Sequence, residues 1–271
     1  MTAAAAETRY PPEWLALREP ADAAARAEDL LPPLLAALPE GPLVVRDLGC
    51  GTGAMGRWLS PRLPAHQHWV LHDRDPHLLT LATVSLRGTG VTVTPEHGDL
   101  TDLRAHDLAG TSLVTGSALL DLLTAEEVDG LAAACAGAGC AALLTISVAG
   151  RVELEPHDPL DRHVMAAFNA HQRRRAGGRR LLGPDAAAAA GRAFTVRGAT
   201  VLTRPSPWRL GPDQRGLTAE WLRGWVAAAV EQDPDLAPHA GDYLRRRLAT
   251  PDGPRVTVHH VDLLALPEAR P

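Results

Sequence analysis

Carboxylates and alternating glycines stand at the ends of predicted strands in the first half of the chain. Asp47 ends a short β-branched strand and is followed by Gly49, Gly51 and Gly53, and Asp73 ends the next predicted strand. Glycine allows a positive φ and lets a ligand approach the backbone with no Cβ in the way. The helix that follows the glycines offers free N–H groups and a positive dipole end. This turn therefore predicts a site for a cofactor that carries a ribose and an anionic group.

Two kinds of cofactor fit the glycine-rich turn. Residues 51–56 satisfy the G-x-G-x-x-G fingerprint of dinucleotide-binding proteins, which is a weak signal on its own. Asp73 suits either cofactor, because both present ribose hydroxyls at the end of the second strand. Asp47 favours S-adenosylmethionine, since a carboxylate at this point attracts the methionine amine and would repel a pyrophosphate. Asp99, which follows Gly98 after the third strand, can accept a hydrogen bond from an adenine amino group.

Over roughly residues 40–150 the chain resembles the class I S-adenosylmethionine-dependent methyltransferase family. The sequence D-L-G-C-G-T-G at residues 47–53 closely matches the first motif of that family. Asp73 matches its ribose-binding acidic residue, Gly98-Asp99 matches its adenine-contacting pair, and residues 117–121 occupy its fourth-motif region beside the methyl donor. The resemblance implies S-adenosyl-L-methionine as cofactor and the following binding residues: Asp47, Gly49, Cys50, Gly51, Gly53, Asp73, Arg74, Gly98, Asp99, Leu100, Ser117 and Ala118.

Strands and helices alternate from residue 43 onward, which predicts an α/β fold with a doubly wound, mostly parallel sheet. The resemblance implies seven strands in a Rossmann-like methyltransferase fold. We expect an N-terminal helical cap at 1–40, a cofactor-binding α/β core at 41–150, and the remainder of the sheet at 151–271 with helical insertions at 151–192 and 211–253. In the family the sixth and seventh strands form a hairpin. The long insertion between them here, together with the cap, is expected to wall a substrate pocket.

Local patterns predict where several elements begin and end. A helix is expected over 12–38, with a break at Pro32-Pro33, and another over 158–175, ended by Gly177-Gly178. A continuous apolar run over 141–148 is typical of a central parallel strand.

The helix over 158–175 carries the candidate residues for chemistry on the substrate. His171 is the candidate general base, because histidine titrates near neutral pH; a surface or core histidine is the alternative. Asn169 and Gln172 lie three residues apart on this helix and are candidate substrate contacts. Trp208 and Arg209, after the sixth strand, are further candidates. A hydroxyl or an acidic carbon would gain from a base, whereas an amine needs only to arrive neutral.

Two groups of charged side chains permit more than one interpretation. Five arginines within residues 173–180 could bind a carboxylate, a phosphate or RNA, or could form a solvated helix end. Arg18 and Asp22 are four residues apart on the first helix and predict an ion pair, on a helix that could close over the cofactor.

Composition limits the choice of partners. The chain has 271 residues and a net charge of −5, so no overall basic field attracts nucleic acid or an anionic membrane. Three cysteines without CxxC spacing predict neither a metal site nor a disulfide framework. No apolar run suggests a leader or a membrane span, and a cytoplasmic protein is expected. The sequence leaves the oligomeric state open.

The sequence as a whole favours a methyltransferase that transfers the methyl group of S-adenosylmethionine to an oxygen, nitrogen or carbon of a small molecule. Three alternatives stay open at this point. The first is an RNA methyltransferase that uses the arginines of residues 173–180. The second is an NAD-dependent oxidoreductase on the same fold. The third is a non-catalytic module that binds the cofactor without turnover.

Overall fold

The computed structural model describes residues 10–100, 103–250 and 253–268; the predicted outer limits at residues 1 and 271 lie outside these ranges. The helices are α1 (Pro12–Ala25), α2 (Leu31–Ala37), α3 (Ala54–Leu59), α4 (Pro76–Arg87), α5 (Ala125–Ala138), α6 (Asp161–Gln172), α7 (Ala186–Thr195), α8 (Arg215–Gln232) and α9 (Ala237–Leu248). The strands are β1 (Leu43–Leu48), β2 (Gln67–Asp73), β3 (Thr92–His97), β4 (Leu113–Ser117), β5 (Ala141–Glu155), β6 (Arg175–Ala176), β7 (Arg179–Arg180), β8 (Thr200–Pro205), β9 (Trp208–Leu210) and β10 (Arg255–Leu266).

An eight-stranded sheet runs through the centre of the molecule in the order β3-β2-β1-β4-β5-β10-β8, and β9 also pairs with β10. The strands from β3 to β5 are parallel, whereas β10 is antiparallel to β5, β8 and β9. This architecture confirms the predicted fold class. Within the described ranges, this sheet has one strand more than the seven predicted: the short β9, which runs in the same direction as β8 and follows it after a two-residue interruption.

Three apolar clusters hold the fold together. Successive residues of a strand point to opposite faces, so Leu143 and Leu144 of β5 belong to different clusters. One cluster packs the sheet against α5 and α7, and the other packs it against α2, α3 and α4. The third joins α6, α8 and α9 to the outer halves of β5 and β10 and is centred on Trp225 and Tyr243. The predicted insertions therefore bury a core of their own beside the sheet.

The proline pair does not break the first helical segment where we expected. α1 ends at Ala25, and Pro32 and Pro33 stand in the first turn of α2. The predicted break is therefore wrong. The N–H groups in the first turn of a helix have no acceptor within the helix, so proline, which has no N–H, is tolerated there.

The predicted helix over 158–175 ends at Gln172, and the segment after it forms the β6–β7 hairpin. Gly177 and Gly178 make the turn of this hairpin with φ angles of 58° and 83°, which most other residues avoid. Arg173 and Arg174 stand at the end of α6, where they donate hydrogen bonds to carbonyls of its last turn, so the interpretation as a helix end holds for these two arginines. The other arginines of residues 173–180 lie on the hairpin.

β5 extends well past the predicted end at residue 148 and reaches Glu155. The expected boundary between core and remainder at residue 150 falls inside this strand, so the three-segment division of the chain stays a prediction. The strand bends at Ile146, whose φ of 56° is a rare backbone conformation for a β-branched residue. Its N–H donates a hydrogen bond of 2.7 Å to Oδ1 of Asp262 on β10, which holds the strained conformation in place.

Asp262 connects three further segments around this bend. Its Oδ1 also accepts a hydrogen bond from the hydroxyl of Ser206, and its Oδ2 accepts one of 2.9 Å from the N–H of Ala27. Asp262 is 1% exposed, and the donors Ile146 and Ser206 are fully buried, so water does not replace these two hydrogen bonds. Within the described ranges, no helix has both the length and the apolar character needed to cross a membrane.

Replacing Asp262 by alanine should destabilise the protein strongly. The change leaves the buried N–H of Ile146, the buried hydroxyl of Ser206 and the half-buried N–H of Ala27 without their acceptor, at about 1–3 kcal/mol for each buried group. Urea denaturation of Asp262→Ala should show a free energy of unfolding lower by roughly 3 kcal/mol or more. As a control, Asp129→Ala removes an ion pair of a half-exposed carboxylate with Arg197 and should change the same quantity by less than about 1 kcal/mol. Equal effects of the two substitutions would contradict this role of Asp262.

Candidate active site

A cavity of about 640 Å³ lies beyond the carboxyl ends of the parallel strands, where ligands bind in sheets of this type. The ends of β1, β2, β4 and β5 form its base, and α1, α6, α8 and β9 contribute its walls. The helical segments before and after the core thus enclose the cavity, as the sequence predicts for a substrate pocket.

The glycine turn forms one end of this cavity. Gly49 and Gly51 have φ angles of 61° and 54°, and a Cβ on Gly51 would lie 3.3 Å from Cδ1 of Leu15 in α1. The N–H of Gly51 donates a hydrogen bond of 2.8 Å to Oδ2 of Asp73, whose Oδ1 accepts one of 2.9 Å from the N–H of Asp75. Asp73 therefore fixes the turn against the end of β2 while it lines the cavity.

Most of the predicted cofactor residues line the cavity, and one does not. The lining residues are Asp47, Gly49, Cys50, Gly51, Asp73, Arg74, Gly98, Asp99, Leu100, Ser117 and Ala118. Gly53 is outside the lining, at the N-cap of α3, where its added Cβ would lie 3.3 Å from Cα of Ala82 in α4. This glycine serves the close packing of α3 on α4. Cys50 is buried, and burial raises the pKa of its thiol, which does not suit a nucleophile.

Asp47 is a buried carboxylate with one free oxygen. Its Oδ1 accepts a hydrogen bond of 2.7 Å from the hydroxyl of Thr115, whereas its Oδ2 has no partner in the described part of the chain. Burial raises the pKa of Asp47 to about 6, although the bond from Thr115 and the charge of Arg26 act in the opposite direction. The unsatisfied oxygen calls for a hydrogen-bond donor from a ligand.

Arg26, just after α1, is a cavity residue that sequence analysis missed. It is 3% exposed, and its guanidinium lies 5.2 Å from the ring centre of Trp58. Nη2 donates a hydrogen bond of 3.1 Å to the hydroxyl of Ser117, but Nε and Nη1 are buried and lack acceptors among the described residues. No sequence signal links Arg26 to the end of β4, because the two segments meet only in the folded chain.

Asp47 and Arg26 together complement an α-amino acid head group. The free oxygen of Asp47 can accept a hydrogen bond from an ammonium, and the free nitrogens of Arg26 can donate two to a carboxylate. Both side chains line the same cavity, and the pKa of Arg26 is lowered by burial but supported by neighbouring carboxylates that include Asp47. This end of the cavity therefore suits a zwitterionic group.

The other end of the cavity is aromatic. Five side chains line it: Tyr10, Trp14, Phe168, Trp208 and Trp221. The indole N–H of Trp208 donates a hydrogen bond of 2.9 Å to Asp22, which also forms the predicted ion pair with Arg18. Trp208 and Gln172 thus occupy the cavity as the sequence led us to expect.

Three predicted substrate or catalytic residues point elsewhere. His171 does not line the cavity; its Nε2 lies 3.2 Å from a carboxylate oxygen of Glu231 on α8, and burial lowers its pKa. Asn169 donates a hydrogen bond of 2.7 Å to the carbonyl of Gly150, and Arg209 is exposed on the outer side of β9. The geometry therefore gives His171 no access to a substrate in this cavity.

Two further ionisable groups line the cavity, and the sequence assigned neither of them a chemical role. Asp121 follows β4, its Oδ1 is buried without a partner in the described ranges, and burial raises its pKa to about 6. His260 on β10 packs edge-on against Trp208, with ring centres 5.2 Å apart, and burial lowers its pKa to about 4. His260 is thus a neutral imidazole, whereas Asp121 is the stronger of the two bases.

The arginines of residues 173–180 do not form one basic surface. Arg173 pairs with Asp185 at 2.6 Å, and Arg179 pairs with Glu127 at 2.6 Å. Arg174 lines the cavity, while Arg175 and Arg180 are exposed on the hairpin. Two of the five charges are therefore compensated within the chain.

Residues 45–138 match the family model described as a methyltransferase domain. No curated protein matches the sequence. The solved structure of YcgJ from Bacillus subtilis has a TM-score of 0.50 at 14% identity, over 90% of this chain and 100% of that one. At that identity the likeness shows the fold alone.

Two other solved structures are similar to the chain at lower scores. One is an S-adenosylmethionine-dependent methyltransferase from Geobacter sulfurreducens in complex with S-adenosylhomocysteine (17% identity, 94% of this chain and 98% of that one, TM-score 0.45). The other is the cyclopropane synthase MmaA2 from Mycobacterium tuberculosis (14% identity, 88% of this chain and 83% of that one, TM-score 0.48).

The raised pKa of Asp47 predicts how the substitution Asp47→Asn changes stability with pH. Below its ordinary pKa of 3.8 the carboxyl is protonated in both states, and above about 6 the folded state bears the cost of a buried charge. The variant should therefore exceed the parent in free energy of unfolding by about 2–3 kcal/mol at pH 8, and the difference should fade towards pH 4.

Urea denaturation of the ligand-free protein at pH 4.5, 6 and 8 measures this difference. Asp29→Asn is the matched control, because Asp29 is 59% exposed and pairs with Arg204 at the surface. A parent protein that is more stable than Asp47→Asn at pH 8 would contradict the buried, uncompensated state of this carboxylate.

Proposed function

We propose that this chain, whose residues 45–138 match a methyltransferase domain, methylates a small-molecule acceptor bound in the cavity beside the methyl donor. The match confirms the enzyme class expected from the sequence and supports S-adenosylmethionine as the cofactor. The same match speaks against an NAD-dependent oxidoreductase, and methyl transfer in the assay below would rule out a non-catalytic module. The acceptor and the residue assignments below are the proposal.

The unsatisfied polar atoms of Asp47 and Arg26 carry this proposal. The methionine part of the donor has an ammonium and a carboxylate, and we assign the first to Oδ2 of Asp47 and the second to Nε and Nη1 of Arg26. Asp73 is assigned to the ribose hydroxyls and Asp99 to the adenine amino group, since both line the same cavity. A dinucleotide would bring a pyrophosphate against the negative charge of Asp47. Among the described residues, Arg26 is the cation whose charge acts on Asp47, and it alone would have to offset this repulsion.

The protein itself has a limited chemical task. When bound, the cofactor supplies a methyl group already activated by a sulfonium. The chain must hold the acceptor in line with that methyl group and keep water out of the cavity. Leu119 and Ile146 line the cavity between the glycine turn and the aromatic end, and both are buried apolar side chains suited to that exclusion.

The size and walls of the cavity support a small acceptor. A volume of about 640 Å³ lies in the range of roughly 300–1,000 Å³ that small ligands and cofactors occupy. The net charge of −5 and the division of the arginines within residues 173–180 give RNA little to bind. RNA methylation remains the alternative to be tested, and the cytoplasmic location expected from the sequence stays a prediction.

Fractionated cell extract distinguishes the two acceptor classes. The purified chain is incubated with radiolabelled S-adenosylmethionine and either the extract passed through a 3 kDa filter or the total RNA from the same cells. Methyl transfer into the filtrate, unaffected by nuclease, is the expected result. Transfer into RNA, with binding that weakens steeply as salt rises, would contradict the small-molecule proposal and leave the methyltransferase class intact.

Arg26→Gln should weaken binding of the methyl donor. Glutamine keeps one N–H donor group but loses the charge, so the change removes the equivalent of one charge-assisted hydrogen bond to the methionine carboxylate, worth about 1.5–3 kcal/mol, and the Kd of S-adenosylhomocysteine should rise about 10- to 150-fold in calorimetry. Arg62→Gln is the matched control: Arg62 lies over the same Trp58 ring, at 4.7 Å, but pairs with Glu28 and does not line the cavity. An equal loss in both variants would point to packing on Trp58 instead of ligand binding.

A further inference from the structure

Aromatic side chains are concentrated at the end of the cavity away from the glycine turn, which we call the acceptor end. The chain has six Trp, two Tyr and two Phe in 271 residues, and five of these side chains line this one cavity. Trp221 stacks on Trp225 with ring centres 5.2 Å apart and an interplanar angle of 19°, which fixes its orientation. Phe168 also packs against Trp225, at 6.4 Å. Rigid aromatic walls favour a flat, aromatic ligand, because rings gain from offset stacking and edge contacts.

Two buried oxygens in the cavity call for hydrogen-bond donors on the ligand. Oδ1 of Asp121 and Oε1 of Gln172 each lack a partner among the residues that the structure describes. Both side chains line the cavity, on the β4 side and on α6 respectively. An acceptor with a hydroxyl or amino group would satisfy such an oxygen, whereas an aliphatic carbon would leave it buried and unpaired.

Arg174 supplies a positive charge at the same end. Three other arginines that line the cavity, Arg18, Arg151 and Arg179, each form an ion pair with a carboxylate of the chain. Arg174 forms none within the described ranges; its guanidinium bonds to the carbonyl and ring nitrogen of His171. A cation that lacks a carboxylate partner favours an anionic group on the ligand.

Tyr10 lines the cavity together with Asp121 and Arg174. Burial and the carboxylate of Asp121 raise the pKa of the Tyr10 phenol, while Arg18, Arg174 and Arg74 lower it, so all four groups lie within electrostatic reach of this ring. Asp121 and Arg174 thus both act on one aromatic residue of the cavity.

We propose that the acceptor is an aromatic acid with a hydroxyl or amino nucleophile, that Asp121 receives the proton of this nucleophile, and that Arg174 binds the acidic substituent. This inference rests on the proposed function and names its substrate class. In the transfer, the oxygen or nitrogen of the acceptor forms a bond to the methyl carbon. The carbon–sulfur bond breaks with its electron pair left on sulfur, which gives S-adenosylhomocysteine. The proton passes from the nucleophile to the carboxylate of Asp121 and from there to solvent.

A defined panel of acceptors tests the substrate class. The full chain is incubated with S-adenosylmethionine and 4-hydroxybenzoate, 3-hydroxybenzoate, 4-aminobenzoate, the methyl esters of all three, or 3-hydroxybutanoate, and products are identified by mass spectrometry. Methylation on the ring hydroxyl or amine is expected, with kcat/KM at least 10-fold higher for the acids than for their esters. Turnover of the aliphatic acid alone, methylation of the carboxylate, or neither turnover nor binding of any aromatic acid would overturn the proposal.

Two pairs of variants test the residue assignments. Asp121→Asn should lower kcat at least 100-fold, as expected for loss of a base, with the Kd of S-adenosylhomocysteine unchanged; Asp129→Asn, on the exposed side of α5, should alter neither. Arg174→Gln should raise KM at least 10-fold for the acids and leave the esters unaffected, whereas the exposed neighbour change Arg175→Gln should have no effect. An unchanged kcat in Asp121→Asn would overturn the role of this carboxylate.

Binding of S-adenosylhomocysteine separates failure of this inference from failure of the proposed function. Calorimetric titration of the parent chain with S-adenosylhomocysteine comes first. If the cofactor product binds and no aromatic acid reacts, the substrate class is wrong and the methyltransferase function stands. If it does not bind, the assignment of this cavity to the methyl donor is wrong.

Discussion

One buried carboxylate, that of Asp262, forms hydrogen bonds to segments that contribute to both ends of the cavity. It accepts hydrogen bonds from the N–H of Ala27, next to Arg26; from the N–H of Ile146, which lines the cavity; and from the hydroxyl of Ser206, which precedes the Trp208 segment. One side chain thus helps to fix three features: the position of the cap over the glycine turn, the bend of β5 and the approach of β9. The sheet provides the frame, but this set of hydrogen bonds determines where the walls stand.

Three charged groups of the site form no ion pair within the described ranges, which distinguishes them from ion-paired residues elsewhere in the molecule. The buried arginines Arg46 and Arg247 each form an ion pair, with Glu96 and Asp161 respectively, although each also keeps one buried nitrogen without an acceptor. Asp47, Asp121 and Arg26, by contrast, form no ion pair and each retain a buried polar atom without a partner in the described ranges, and all three line the cavity. A buried charged group with neither an ion pair nor a full set of hydrogen bonds destabilises a fold, so three such groups in one cavity are the expected mark of groups that a ligand completes.

Local patterns predicted the cofactor end of the site, and only the folded chain reveals the acceptor end. Asp47, the glycines and Asp73 lie within one strand–turn–helix–strand unit, where sequence spacing fixes their relative positions. Arg26 meets Ser117 across 91 residues, a distance that no local pattern spans. His171 has suitable chemistry, but the packing of α6 on α8 decides which way its ring points, and it points away from the cavity. The alternation of strands and helices was enough to predict the fold class. The ends of the helices and strands depend on individual turns and caps.

The hydrogen bond between Ala27 and Asp262 joins residues 235 apart in the chain. β10, which carries Asp262, also inserts between β5 and β8; it pairs with β5 along most of its length and with β8 from Val261 to Leu266. Closing such long loops is entropically unfavourable until the contacts on either side have formed, and chains rich in distant contacts fold slowly. The cap can therefore settle over the glycine turn only after β10 has docked. A partly folded chain would hold the nucleotide-binding half of the sheet without a competent pocket, and activity would emerge as one of the last events of folding.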